Sequence, residues 1–146
     1  MIDFEFEFQY AEEKQPTLQK VGGSIPAGRC VVLCGGSGCG KSTLLRCING
    51  LIPQFYEGEL KGFCRLNGQD TAGIRIGEIG ELAASVFQDP RSQFFTVNSS
   101  NEVAFGLENL GLPQETIRQR VEEAFRVFHL ARLKDRNVYE LSSGAR

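Results

Sequence analysis

Eight consecutive residues, Gly35-Gly36-Ser37-Gly38-Cys39-Gly40-Lys41-Ser42, place glycines, an ammonium and a hydroxyl at fixed offsets. They fit G-x-x-x-x-G-K-[ST], a spacing suited to holding phosphate. Glycine accepts backbone conformations that turn successive N–H groups inward into an anion-binding nest. Lys41 brings a mobile positive charge to the β- and γ-phosphates, and the Ser42 hydroxyl can ligate Mg²⁺. Thr43 follows directly on the helix, whose dipole adds its positive end beneath the phosphates. The chemistry implied is the wrapping of a nucleoside triphosphate by Gly35 to Thr43.

Such a loop works only between a strand and a helix. Arg29-Cys30-Val31-Val32-Leu33-Cys34 is an apolar run of strand type, and Lys41 to Asn49 reads as a helix ending at Gly50. Upstream, residues 3–10 alternate, with Phe4, Phe6, Phe8 and Tyr10 on one side and Asp3, Glu5, Glu7 and Gln9 on the other. That period predicts a half-buried strand of an antiparallel sheet. Leu18 to Ile25 and Glu59 to Leu66 read as further strands, the second closed by an Asn67-Gly68 turn. Ala83 to Phe87 is a short apolar strand candidate that breaks at Pro90.

Beyond residue 90 the pattern becomes helical. Asn98 to Leu110 carries Val103, Leu107 and Leu110 along one face. Pro113 opens a second helix in which Ile117, Val121, Ala124, Phe125 and Phe128 form an apolar stripe. The chain thus reads as a β-rich part with the phosphate loop, about residues 1–90, and a helical part, about 91–146.

The 146 residues suit one domain with a sizeable core. A net charge of −2 with no clustered Lys/Arg face disfavours nucleic acid as a partner. No apolar run approaches the roughly 20 residues that span a bilayer, and the acidic opening MIDFEFEFQY is unlike a secretory signal. The expected location is cytoplasmic. Five cysteines (30, 34, 39, 47 and 64) without a C-x-x-C pair argue against disulfides and zinc. Burial as small apolar residues is expected for them, apart from Cys39 in the loop. His129, at the end of the second helix, reads as structural.

Several further stretches resemble the nucleotide-binding subunit of ABC transporters. Phe8-Gln9-Tyr10 is similar to the family's adenine-stacking segment, which makes Tyr10 the aromatic platform. Val86-Phe87-Gln88-Asp89-Pro90 resembles its glutamine loop, implying that Gln88 reaches Mg²⁺ and the attacking water. Leu141-Ser142-Ser143-Gly144-Ala145 resembles the signature L-S-G-G-Q. By that resemblance Ser142, Ser143 and Gly144 would contact ATP held by a second ATPase subunit. Ser143 replaces a glycine and Ala145 a polar residue, which weakens this trans contact. Phe87 to Phe95 followed by Glu102 to Leu110 looks like the energy-coupling-factor (ECF) type, whose ATPases drive uptake of vitamins or transition-metal ions.

The fold the resemblance implies is α/β: a P-loop NTPase with an incomplete RecA-like core, an N-terminal antiparallel β subdomain and an α-helical subdomain. Its cofactors would be ATP and Mg²⁺. Its partners would be transmembrane transporter subunits and a second ABC ATPase subunit, placing it at the inner face of the membrane. Lys41 and Gln88 would be the catalytic residues, and Ser42 and Gln88 the metal ligands. The family continues with an apolar strand ending in two carboxylates and with a switch histidine, neither of which occurs in these 146 residues. The expectation is therefore a truncated chain with little ATPase activity alone, in which Val31 and Leu33 line an open edge that invites aggregation. Two other readings remain: a catalytically silent module that pairs with an intact ATPase, and a small P-loop kinase.

Overall fold

The aromatic and acidic alternation of the N-terminal segment produces an inner strand of a sheet. In the computed structural model, which describes residues 1–141, β1 (Ile2–Tyr10) buries Phe4, Phe6 and Phe8 on one face. Side chains of a strand alternate between faces, so Glu5 is left in water. β1 pairs antiparallel with β2 (Leu18–Ile25) on one side and with β3 (Gly58–Leu66) on the other. A two-residue turn at Asn67 (φ 52°) and Gly68 (φ 85°) joins β3 to β4 (Gln69–Asp70). Positive φ at both central residues is the geometry favoured by the right-handed twist of a hairpin. The strand order is β2-β1-β3-β4.

The apolar face of this sheet is covered by α1 (Lys41–Ile48), which contributes Leu44 and Cys47 to the core. Next comes α2 (Leu51–Gln54), a short turn interrupted at Ile52, and then α3 (Ile76–Leu82), which contributes Ile79. Phe8, Ile52, Leu66 and Ile79 are the largest fully buried side chains. Helix α3 has a capping interaction at its start: the Arg75 N–H donates to Glu78 Oε2 at 3.1 Å. These elements belong to a compact unit, Met1–Ser85.

Two expected strands are absent from this unit and its neighbour. Arg29–Cys34 and Ala83–Phe87 carry no β-pairing among the described residues. A parallel strand buries an apolar run on both faces only if flanking backbones accept its hydrogen bonds. Here Val31 and Val32 are 60% and 79% exposed, and Val86 is 92% exposed. Cys30 and Cys34 are consequently exposed rather than core residues, as is Cys39, whereas Cys47 and Cys64 are buried. The sheet that forms among the described residues is antiparallel, and the parallel core sheet expected from the family resemblance is not present among them.

The second unit begins at Val86, and among its described residues the regular structure is helical. Asn98 caps α4 (Ser99–Asn109), its side-chain oxygen accepting from the Ser100 and Asn101 amides at 2.8 and 3.3 Å. Pro113 precedes α5 (Gln114–Val127). The two helices pack through Ala104, Val121 and Phe125, with Leu107, Ile117 and Leu130 around them. Phe128 does not join this stripe: the helix ends at Val127, and the Phe128 ring is 70% exposed. His129 follows at φ 56°, outside the helix. No helix among the described residues is long and apolar enough to cross a membrane.

Candidate nucleotide site

Two glycines in left-handed conformation shape the phosphate loop, Gly38 at φ 78° and Gly40 at φ 89°. At Gly40 a side chain would also collide: a Cβ there would lie 3.2 Å from the Thr17 carbonyl oxygen and 3.0 Å from Leu18 Cδ2. The loop therefore packs against the start of β2 through a residue that has no side chain. Gly40 is the N-cap of α1 and, lacking a side chain, makes no side-chain cap to the first turn. Amide donors at that helix end are thus not consumed by a cap, which suits them to an anion.

Lys41 folds back over the loop. Its ammonium donates to the Gly35 and Gly36 carbonyl oxygens at 3.0 and 2.6 Å, and stands 3.5 Å from Cys39 Sγ. The Cys39 sulfur in turn lies so close to Gly35 that a Cβ there would be 2.6 Å away. Gly35, Gly36, Ser37 and Cys39 are exposed, whereas Thr43 is buried.

Tyr10, at the end of β1, reaches this helix. Its hydroxyl lies 3.2 Å from Thr43 Oγ1 and accepts from Arg46 Nη1 at 3.2 Å. Tyr10, Gly38, Gly40, Lys41, Ser42 and Thr43 all line one open cleft of about 610 Å³, together with Thr17, Arg46, Glu12, Glu13 and Glu57. Tyr10 and the loop, read from the sequence as parts of one site, thus share a wall. Arg46, which lines the cleft, and Tyr56, which packs against Tyr10 beside it, were not legible from the sequence as neighbours of the site. Their only signal is position: Arg46 sits one helical turn after Thr43, and Tyr56 just precedes β3.

The donor set fits Mg²⁺ carried in by a nucleotide. Ser42 presents one exposed hydroxyl to the cleft, and no cluster of three or more His, Cys, Asp or Glu suited to a metal occurs among the described residues. Mg²⁺ is commonly held by one or two protein oxygens with substrate phosphates completing the shell.

Gln88 belongs to the other unit and is described by itself. It is exposed on a bend. The Gln93 side chain brackets it, donating to the Phe87 and Asp89 carbonyl oxygens at 3.4 and 3.2 Å. The expected contacts of Ser142, Ser143 and Gly144 lie outside the described residues.

Residues 18–146 match the sequence pattern of the ABC transporter family. A Treponema denticola protein provisionally named an ABC transporter ATP-binding protein is 44% identical over 137 residues, covering 94% of this chain and 28% of its own length. A Streptomyces avermitilis protein with the same provisional name is 39% identical over 99% of this chain and 26% of its own length. The Bacillus subtilis protein YkoD, provisionally named an HMP/thiamine import ATP-binding protein, is 36% identical over 94% of this chain and 25% of its own length. The chain therefore spans about a quarter of the length of these relatives. With the phosphate loop, the uncapped α1 and a match over residues 18–146, this chain belongs to the ABC transporter ATP-binding family.

Proposed function

We propose that the chain binds Mg-ATP in the cleft between β1 and α1, as the nucleotide-binding part of an ABC importer subunit of the ECF type. The observation that carries this is the phosphate loop with its lysine: left-handed Gly38 and Gly40, the α1 N-terminus without a side-chain cap, and Lys41 over the Gly35 and Gly36 carbonyls. The ammonium is already beside the loop backbone that would surround the β- and γ-phosphates, so it needs only to exchange carbonyl for phosphate oxygens. Ser42 supplies a hydroxyl to Mg²⁺, and Tyr10 offers its ring to the base.

Gln88 acts in this reading as the metal and water contact in the complete enzyme, and Ser142 to Gly144 as the contact to ATP on a second ATPase subunit. The ECF assignment rests on Phe87 to Phe95 and Glu102 to Leu110. It is supported by an import function in the name of the Bacillus subtilis relative. Membrane-embedded subunits would then receive the motion of the nucleotide-bound dimer, with the chain at the cytoplasmic face.

Titration calorimetry of residues 1–146 with ATP, with and without Mg²⁺, tests the binding step. Saturable heat that disappears in Lys41→Ala supports it. Equal affinity in wild type and Lys41→Ala, or no heat with any nucleotide, ends it.

A further inference from the structure

Tyr10 and Tyr56 face one another as nearly perpendicular rings, 6.5 Å between centroids and 81° between planes. Arg46 joins them. Its guanidinium carbon lies 4.3 Å from the centroid of the Tyr56 ring, within cation–π range, while Nη1 donates to the Tyr10 hydroxyl at 3.2 Å. A guanidinium accepts no hydrogen bond. The Tyr10 hydroxyl, which accepts from it, also shares a hydrogen bond with Thr43 Oγ1 at 3.2 Å, in which either oxygen can donate. Behind Tyr10, the Phe8 ring meets it edge-on at 4.7 Å and 80°. The backbones that carry the two tyrosines are tied as well, since the Ala11 N–H donates to the Glu57 carbonyl oxygen at 3.3 Å.

We propose that Arg46 is a positioning residue for base recognition, holding Tyr10 and Tyr56 as a two-walled aromatic notch with Tyr56 as the second wall. The proposal rests on the nucleotide-binding reading above and adds to it the residues that set the base. A base that stacks on a freely rotating ring must immobilise that ring on binding, and the lost rotamer freedom weakens affinity. Tyr56 is partly in solvent, and the planar guanidinium over its ring restricts its rotation. Lysine has a point charge and no plane, so it cannot both stack on Tyr56 and aim a donor at Tyr10. Arg46 is also at home where it stands, because the last turn of α1 favours a cation. Glu12 and Glu57, which flank the tyrosines in sequence and line the cleft, repel phosphate from this end and so favour one direction of entry for the ligand.

The chain contains no tryptophan and three tyrosines, of which Tyr139 lies in the other unit. Tyrosine emission of residues 1–146 therefore reports chiefly on the notch. Mg-ATP and Mg-tripolyphosphate are compared as probes, because only the first has a base. Mg-ATP is expected to change the emission of wild type and tripolyphosphate to leave it unchanged. Arg46→Ala and Tyr56→Ala are each expected to weaken Mg-ATP by roughly 5- to 100-fold and tripolyphosphate by much less. Their combination should cost less than the product of the two, as for groups acting as a unit. Arg46→Lys should recover little of the loss. Equal weakening of both probes in Arg46→Ala, full rescue by lysine, or unchanged ATP affinity overturns the proposal. Failure of wild type to bind either probe instead sinks the nucleotide reading beneath it. Circular dichroism of each variant checks that a loss is not unfolding.

Discussion

The ammonium of Lys41 lies 2.6 Å from the carbonyl oxygen of Gly36, a charge-assisted hydrogen bond that ties the first residue of α1 to the far side of its own loop. One side chain thus holds the loop's shape and supplies the positive charge that a triphosphate needs. Lys41→Met, which keeps the stem, is expected to speed amide hydrogen exchange in the segment from Gly35 to Gly40 while α1 stays helical. The affinity for Mg-ATP should fall at least roughly tenfold, the scale of one lost hydrogen bond to a charged group. Exchange rates unchanged from wild type would show that the lysine does not hold the loop.

Gly62 cannot carry a side chain. Its φ is +110°, and a Cβ built there would lie 1.9 Å from the Glu5 carbonyl oxygen, inside the ladder between β1 and β3. Gly62→Ala must push the central strands apart, and a loss of about 2 kcal/mol or more is expected in urea unfolding. Gly68, at φ +85° with nothing within 4 Å, is the control: there alanine meets only the torsional cost, about 1 kcal/mol. Equal losses at the two positions would mean that backbone conformation, not the collision, sets both.

The thiols should divide into two classes. Cys30, Cys34 and Cys39 are exposed and should react with a disulfide reagent in the native protein. Cys47 and Cys64 should react only on unfolding, since burial pushes both up, Cys47 to about 12. The pH dependence has a definite sign. A thiol whose folded value is raised contributes fully below its ordinary value of 9.0, and stability falls as pH rises from there toward about 12. Cys47→Ala is expected to flatten that alkaline decline in thermal melts, even if it lowers stability at neutral pH.

Glu78 gives the opposite sign. Its carboxyl is held below the ordinary value of 4.5 by the Arg75 side chain, whose Nη2 donates to it at 2.9 Å, and by the Arg75 backbone N–H. A depressed carboxyl contributes stability above 4.5 that is lost as pH falls through the folded value. The melting temperatures of wild type and Glu78→Gln should therefore differ at neutral pH and converge in acid. A gap that is constant with pH would assign the effect to shape rather than charge.

What could be read from the chain follows from how local each signal is. The period of Phe4, Phe6 and Phe8, the Asn67-Gly68 turn and the Ile117, Val121, Phe125 stripe all specify structure within a few residues, and β1, the β3–β4 hairpin and α5 form accordingly. Val31 to Cys34 has equal β-propensity, but a strand in a sheet also requires neighbours that no local pattern encodes. Helix α3 escaped notice because Gly77 and Gly80 lower its propensity; Ile79 in the core and the Arg75–Glu78 pair hold it nonetheless. Phe128 failed for the opposite reason, a periodic stripe continuing one residue past the helix that carries it. The phosphate loop was legible because its chemistry is contiguous. Arg46 and Tyr10 were not legible as a pair, since 36 residues separate them and only the packing of α1 on β1 joins them.

The pairing of Ile2 with Leu66 and of Tyr10 with Gly58 makes the earliest strand an inner one. A newly made chain can zip β1 to β2 as a local hairpin, but that pair exposes an unmatched side until residue 66 has emerged from the ribosome. Such a long-separation contact is entropically slow to close. Phe4, Phe6 and Phe8 must wait through that interval with α1 and the short α2 as early cover, so the rate at which β3 arrives sets how long the aromatic row stays vulnerable to capture by chaperones or by other nascent chains.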